Sequence, residues 1–304
     1  MIQEVFYWLF SMSITASIVA VPVILLRLIK PIPRRLSVFL WGIPFLRMVL
    51  PFGMNSAYSL MSLLSRLSEK SFTVYKPSAH SVYSFTNFAQ AADTYDPITY
   101  KVDVLEHVFG IGSVIWLMGT VVIFCILASA YCLQLREAKR AVYWQDRLYI
   151  SKTAAAPAVY GIIKPRIVFP EHYKNRDIHY IVLHEKAHIR RMDNLWRLLA
   201  FAVTAIHWFN PFCWIFLKLF LADLELACDE CVLKKLAQPQ RKAYALSLLD
   251  SKAHAKALTS AFGGAKLHKR IRNILSFKEM TRFSTIVFSL LIIAIFYMLL
   301  TNAG

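Results

Sequence analysis

The chain has 304 residues; 57% are hydrophobic, 17% are charged, and 35 Lys and Arg outnumber 18 Asp and Glu for a formal net charge of +17. Soluble globular chains average roughly 45–50% apolar and about 25% charged residues, so this composition excludes an ordinary soluble domain. The basic excess does not by itself mark a nucleic-acid binder, because the Lys and Arg residues border long apolar runs and fit attraction to anionic lipid better.

Those apolar runs set the expected architecture. Residues 5–26 form an uncharged stretch of 22, residues 108–132 another of 25, and residues 283–300 one of 18. Each is near the ~20 residues a helix needs to cross a bilayer. Residues 36–52, "LSVFLWGIPFLRMVLPF", are shorter and contain Pro44 and Arg47. They read as the second of four spans, with Arg47 near enough to one end to reach the interface. The loop after the first span, "RLIKPIPRR", holds four basic residues and no acid; residues 54–107 hold four basic and five acidic, and residues 134–282 hold 26 basic and 12 acidic. Positive charge is retained in the cytoplasm. The N-terminus, residues 54–107 and the C-terminus are therefore expected outside, with 134–282 inside. The start "MIQEVFYWLF" lacks a basic n-region, so the first span is expected to serve as its own uncleaved insertion signal.

The chain thus divides into a membrane region at 1–133, a cytoplasmic domain at 134–282 and a last helix at 283–304. The outer loop 54–107 is expected to hold a short amphipathic helix near 60–67 and no catalytic constellation. Short strands are predicted at 148–151, 158–160 and 166–169, where β-branched and aromatic residues are broken by Pro and Gly. A helix follows over 177–194, with Asn175 or Asp177 as its N-cap. Residues 195–221 are oily, but Asn210-Pro211 interrupts them, and proline removes a backbone donor and disfavours helix before it. Further helical blocks are predicted at 217–236 and 241–254, and "KLHKRIRNILSFKE" is a basic amphipathic stretch before the last span.

The helix at 177–194 carries "HEKAH". At 3.6 residues per turn, His184 and His188 share a face one turn apart, with Glu185 beside them. This is the HExxH arrangement in which two imidazoles bind zinc and a glutamate activates water. A third protein ligand and an open position are still required. "ADLELACDECVL" offers Glu225 and Asp229 one turn apart, with Asp223 and Glu230 nearby; Glu225 can bind metal while Asp229 orients an imidazole. If 195–221 crossed the bilayer, His188 and Glu225 would end roughly 30 Å apart, so a metal site predicts a hairpin bent at Asn210-Pro211. The CxxC of "CDEC" has no second pair, which argues against a zinc ribbon. His207 reads as a hydrogen-bonding core or interface residue. His172, His179, His254 and His268 read as solvent or interface residues.

Taken in order, "APAVYGIIKPRIVFP", "HEKAHIRRMDN", "AIHWFNPFCW", "ADLELACDECVL" and "AFGGAKLHKRIRNILSF" resemble the BlaR/MecR-type membrane metallopeptidases of bacteria over roughly residues 5–300. The resemblance implies a mainly α integral membrane protein with four transmembrane helices and a cytoplasmic α+β gluzincin-like zinc peptidase domain between spans three and four. It implies Zn²⁺ held by His184, His188 and Glu225, Glu185 as base, Asp229 behind a ligand, and a strand edge at 159–169 that pairs with extended substrate. It further implies a bacterial cytoplasmic-membrane location, a cytoplasmic protein substrate such as a transcriptional repressor, contact with lipid, no direct nucleic-acid partner, and self-cleavage at Ser276–Phe277. Homo-oligomerisation is left open. The β-lactam-sensing members continue beyond the fourth span into a penicillin-binding domain, which the sequence to Gly304 does not contain, so direct β-lactam recognition is not expected of these residues. An alternative of another class is a non-catalytic receptor or scaffold with a structural zinc site, for which Glu185 has no use. A small transporter would show repeated polar interruptions in its spans, and the three clean spans do not.

Overall fold

The computed structural model describes residues 2–28, 32–50, 55–56, 103–253, 267–279 and 281–303; the helix expected near 60–67 lies outside them. The chain opens with α1 (Ile2–Leu28), α2 (Arg34–Leu40), α3 (Gly42–Val49) and a two-residue β1 (Asn55–Ser56). The long α4 (Asp103–Arg140) leads to β2 (Val142–Gln145), β3 (Leu148–Ser151), β4 (Ala158–Tyr160) and β5 (Arg166–Pro170). Helices α5 (His179–Arg191), α6 (Asp193–Ile206), α7 (Pro211–Leu233), α8 (Gln238–Ala253), α9 (Leu267–Leu275) and α10 (Arg282–Leu300) follow, and β6 (Asn302–Ala303) pairs in parallel with β1.

The protein is mainly helical with one small sheet, and three helices among the described residues are long and apolar enough to cross a membrane: α1, α4 from His107, and α10. The described part of residues 36–52 does not form a fourth of that length. Instead α2 and α3 have 7 and 8 residues and are interrupted at Trp41, where Pro44 has no N–H to give to the carbonyl of Leu40. Residues 34–49 as one helix would span only about 24 Å, short of the ~30 Å hydrocarbon core. Arg47 packs against the end of α10. It is buried and donates through Nε to the Leu299 carbonyl (3.2 Å) and through Nη2 to the Thr301 carbonyl (2.6 Å). Those carbonyls end α10, where helix geometry leaves acceptors unpaired and favours a cation.

Helix α4 has 38 residues, about 57 Å at helical rise, so it exceeds a bilayer and its end becomes a mount for the sheet. Arg166 donates to the Ala138 carbonyl at 3.1 Å, and Thr153 donates to Glu137 at 2.8 Å. The sheet runs β2-β3-β5-β4, with β3 and β5 parallel and the outer pairs antiparallel. The sequence reading placed β3, β4 and β5 and missed β2, which pairs with β3 across a turn where Asp146 and Arg147 have positive φ. Strand β4 lies at the edge, facing α5.

Helix α5 is packed on two sides. Ile181, Val182 and Ile189 meet the core of the sheet, while Tyr180, Leu183 and Ala187 meet a second core built from α7, α8 and α9. A third, larger core joins α1, α2, α3, α6, α7 and α10. The sequence predicts a single helix over 177–194, but Met192 adopts a left-handed conformation (φ 56°, ψ 35°) that ends α5 and restarts the chain as α6. At the other end, Asp177 accepts from the His179 amide at 3.0 Å.

The oily stretch after α5 folds back at residues 207–210. Asn210 caps α7 by accepting from the Phe212 amide (2.9 Å), with Pro211 at the first helical position, where its missing N–H is harmless. Helix α7 then continues without a break from this bend through Glu225 to Leu233. The expected boundary near 217 does not exist.

Candidate metal centre

Four elements meet at the face of α5. His184 and His188 come from α5, Glu225 and Asp229 from α7, Tyr244 from α8 and Arg270 from α9. The two imidazoles face each other with their Nε2 atoms 3.1 Å apart. The Glu225 carboxylate closes a triangle, its Oε2 being 3.7 Å from His184 Nε2 and its Oε1 3.7 Å from His188 Nε2. Both histidines are 5% exposed, so their orientation is set by protein partners.

Hydrogen bonding assigns the tautomers. Asp193 Oδ2 lies 2.6 Å from His188 Nδ1, so that nitrogen carries the proton and Nε2 keeps its lone pair. Tyr244 donates its hydroxyl proton to Asp229 at 2.6 Å. Its oxygen therefore accepts from His184 Nδ1 at 2.9 Å, and this Nε2 is also left as a lone pair. Two lone pairs and a carboxylate thus converge, an electron-rich set that calls for a cation. Tetrahedral zinc with bonds near 2.1 Å would separate neighbouring ligand atoms by about 3.3–3.5 Å, which the triangle fits.

Asp229 sits where a supporting carboxylate belongs, reaching His184 through Tyr244 and lying 3.4 Å from its Nδ1. It also receives two parallel bonds from Arg270, Nε to Oδ2 and Nη2 to Oδ1, each 2.8 Å. Arg270 continues to Glu225 Oε2 (3.2 Å), and Arg197 reaches Glu225 Oε1 (2.6 Å). Burial alone would raise the Glu225 pKa, but contact with His184, Arg270, His188 and Arg197 holds its carboxyl well below the usual range. Glu225 is therefore a carboxylate at neutral pH, and its remaining lone pairs can still bind metal. Glu185, 8% exposed, lines the same cleft of about 170 Å³. Among the described residues nothing is hydrogen-bonded to its carboxylate, which leaves it to solvent in the cleft.

Cys228 is a second candidate for the third ligand, since His184, His188 and Cys228 each offer an atom within 4.8 Å of the others. Its sulfur, however, lies on the Nδ1 side of His184 (3.6 Å) and donates to the His184 carbonyl (3.4 Å). Burial, then Asp229, Glu225 and Asp193, push its thiol pKa well above the ordinary value, whereas zinc takes a thiolate. Geometry and charge both favour Glu225.

The cleft is bounded on one side by the edge strand, where Asn194 Nδ2 donates to the carbonyls of Val159 (2.9 Å) and Gly161 (3.1 Å). Ser276 and Phe277 lie elsewhere. Ser276 ends α9 with its hydroxyl on the Arg272 carbonyl (2.8 Å), and the Phe277 ring sits under the Arg241 guanidinium; neither lines the cleft.

Sequence reasoning missed Asp193, Asn194, Arg197, Tyr244 and Arg270. Asp193 follows His188 by five positions, at the first residue of a new helix, and that was its only signal. Arg270 had a clearer one. It lies on the same α9 face as Leu267 and Ile274, and a cation among apolar positions of an amphipathic helix is the informative exception.

Comparison with known proteins follows this geometry. The family model described as BlaR1 peptidase M56 matches residues 7–276. The methicillin resistance mecR1 protein of Staphylococcus aureus is 35% identical over 97 residues, 31% of this chain and 17% of that protein. The regulatory protein BlaR1 of Bacillus licheniformis is 25% identical over 142 residues, 44% of this chain and 24% of that one. BlaR1 of Staphylococcus aureus is 28% identical over 135 residues, 41% and 23% of the two chains. The matched segment is thus under a quarter of each relative's length.

Proposed function

The chain belongs to the BlaR1 peptidase M56 family, and on that premise we propose that it is a membrane-embedded zinc endopeptidase that cleaves a cytoplasmic protein, such as a transcriptional repressor, in bacterial signal transduction. The observation that carries this reading is the triangle of His184 Nε2, His188 Nε2 and the Glu225 carboxylate, with both ring tautomers fixed so that the lone pairs point inward. In this reading four segments cross the bilayer, α2–α3 being the short second one. The α6–α7 hairpin enters from the cytoplasmic side and returns to it, and the cleft faces the cytoplasm.

Zinc, when bound, supplies Lewis acidity that polarises the scissile carbonyl and makes water a nucleophile near neutral pH. The remaining work belongs to the side chains. Glu185 takes the proton from the attacking water and passes it to the leaving amide nitrogen. Asp193 and Tyr244 hold the two imidazoles in register, and Asp229 fixes Tyr244. An extended substrate pairs with the edge of β4 and takes over the Val159 and Gly161 carbonyls that Asn194 now holds. Self-cleavage at Ser276–Phe277 requires the end of α9 to unwind, since the Ser276 amide is bonded to the Arg272 carbonyl at 3.0 Å.

The test is purification in detergent with metal analysis, comparing proteolysis by wild type and Glu185→Ala. The reading expects about one zinc per chain in both, with proteolysis about 10²–10⁴-fold lower in the variant. Undiminished cleavage by Glu185→Ala would overturn the assigned chemistry.

A further inference from the structure

A buried arginine beside a metal site needs a reason. Taking a guanidinium out of water costs several kcal/mol unless it is well paired, and placing it next to a bound dication adds repulsion. Arg270 is 4% exposed, and its pairing is uneven. One edge, Nε and Nη2, forms the fork on Asp229 described above, which locks the plane of the group. Arg270 also lines the cleft, where its Nη1, outside the fork, lies 3.2 Å from Glu225 Oε2 and the fork's Nη2 lies 3.3 Å from His184 Nε2. Asp229 alone would satisfy a structural arginine. The guanidinium is held within reach of the same ring nitrogen that the zinc reading assigns to the metal.

We propose that Arg270 is a catalytic residue that donates to the oxygen of the scissile carbonyl as that oxygen gains negative charge. This deepens the zinc-peptidase reading and rests on it. Preorganised donors aimed at developing charge, in a site shielded from water, contribute more than flexible ones. Arg270 is anchored by two bonds, whereas the neighbouring Arg197 is held at Glu225 by one 2.6 Å contact and its side chain is 32% exposed. Asp229 thereby serves both the imidazole, through Tyr244, and the guanidinium that reads the charge on substrate.

The test uses two small zinc-directed probes on zinc-loaded protein in detergent, followed by calorimetric titration. One is an N-phosphoryl dipeptide, a tetrahedral anion; the other is the hydroxamate of the same dipeptide, which grips metal without a tetrahedral anion. Arg270→Gln is expected to weaken the phosphoryl probe about 10²–10³-fold, the range for losing one oxyanion donor. The hydroxamate and the zinc content should change less than about threefold, a ratio well inside one factor of ten. Asp229→Asn/Arg270→Gln removes both charges together, so the same selectivity loss is expected even if the single variant folds poorly. Equal weakening of both probes, retained preference for the phosphoryl probe, or a wild type that takes up zinc but shows no such preference each overturns the proposal. Failure of the zinc reading looks different: there the wild type takes up no metal, or Glu185→Ala stays active.

Discussion

Two of the groups of buried polar side chains in the described structure are built on opposite plans. At the candidate metal centre, imidazoles, carboxylates and guanidinium groups from α5, α6, α7, α8 and α9 leave acceptors pointing at one another. Near the hairpin bend, the partners are backbone and hydroxyl groups, and one atom, His207 Nδ1, is buried with no hydrogen-bond partner. Asn210 Nδ2 reaches the Ser13 hydroxyl (2.6 Å) and the Ser17 hydroxyl (2.9 Å), and His207 Nε2 donates to the Met48 carbonyl (3.0 Å). No carboxylate takes part there. The lesson is that neither burial nor one unfilled atom, which His207 Nδ1 also has, distinguishes a reactive site from a structural seam; what matters is whether several acceptors converge on one point. His207 and His188 are equally at home in a buried position, yet only His188 has a carboxylate behind one nitrogen and a second imidazole and a second carboxylate before the other.

Substitutions can break this contrast or sharpen it. The largest effect is expected from Glu225→Gln, which should strip most of the zinc measured by elemental analysis after dialysis, while Cys228→Ser keeps it. The reverse pattern would transfer the third ligand to the sulfur. Next comes Asp193→Asn, which leaves His188 in place but weakens its orientation; metal affinity should drop about 10–100-fold, the usual range for an orienting partner. Asn210→Ala probes the other plan. It removes a helix cap and bonds to two serines, so unfolding should become easier by about 1–2 kcal/mol, with zinc per folded chain unchanged. A change in zinc affinity there would mean that the two groups are energetically one. The smallest expected effect is in acid. Glu225 has a folded pKa below its unfolded value, so its contribution is complete above the ordinary carboxylate range and is lost as pH falls through the folded value. Melting temperature between neutral pH and pH about 3 should therefore fall more steeply for wild type than for Glu225→Gln.

The legibility of this fold in its sequence followed the range of each interaction. His184, Glu185 and His188 could be read because one helical turn is a local rule, and the three long spans because bilayer thickness sets a length. The bend at Asn210-Pro211 was legible from proline chemistry. The break at Met192 was not, since nothing about methionine favours positive φ; tertiary contacts on both sides of α5 impose it. The same applies to the break between α2 and α3, which hydropathy does not show and which Pro44 and the pairing of Trp41 with Asp223 across the fold (2.9 Å) shape. Tyr244 and Arg270 lie 60 and 86 residues from His184, and no periodicity in one sequence links such positions.

The turn at Met192 also has a consequence in time. Everything from the first imidazole to the aspartate behind the second lies within ten consecutive residues, 184–193. On a ribosome adding about 5–20 residues per second, roughly 4–17 s pass between synthesis of His184 and of Arg270. Over that interval α7, with Glu225, and α8, with Tyr244, join the histidine pair and its orienting aspartate in turn, and α9 comes last. Segment α9 is thus the closing piece, and a chain interrupted before it would carry His184, His188 and Glu225 without the Arg270 guanidinium that pairs with Glu225 and Asp229.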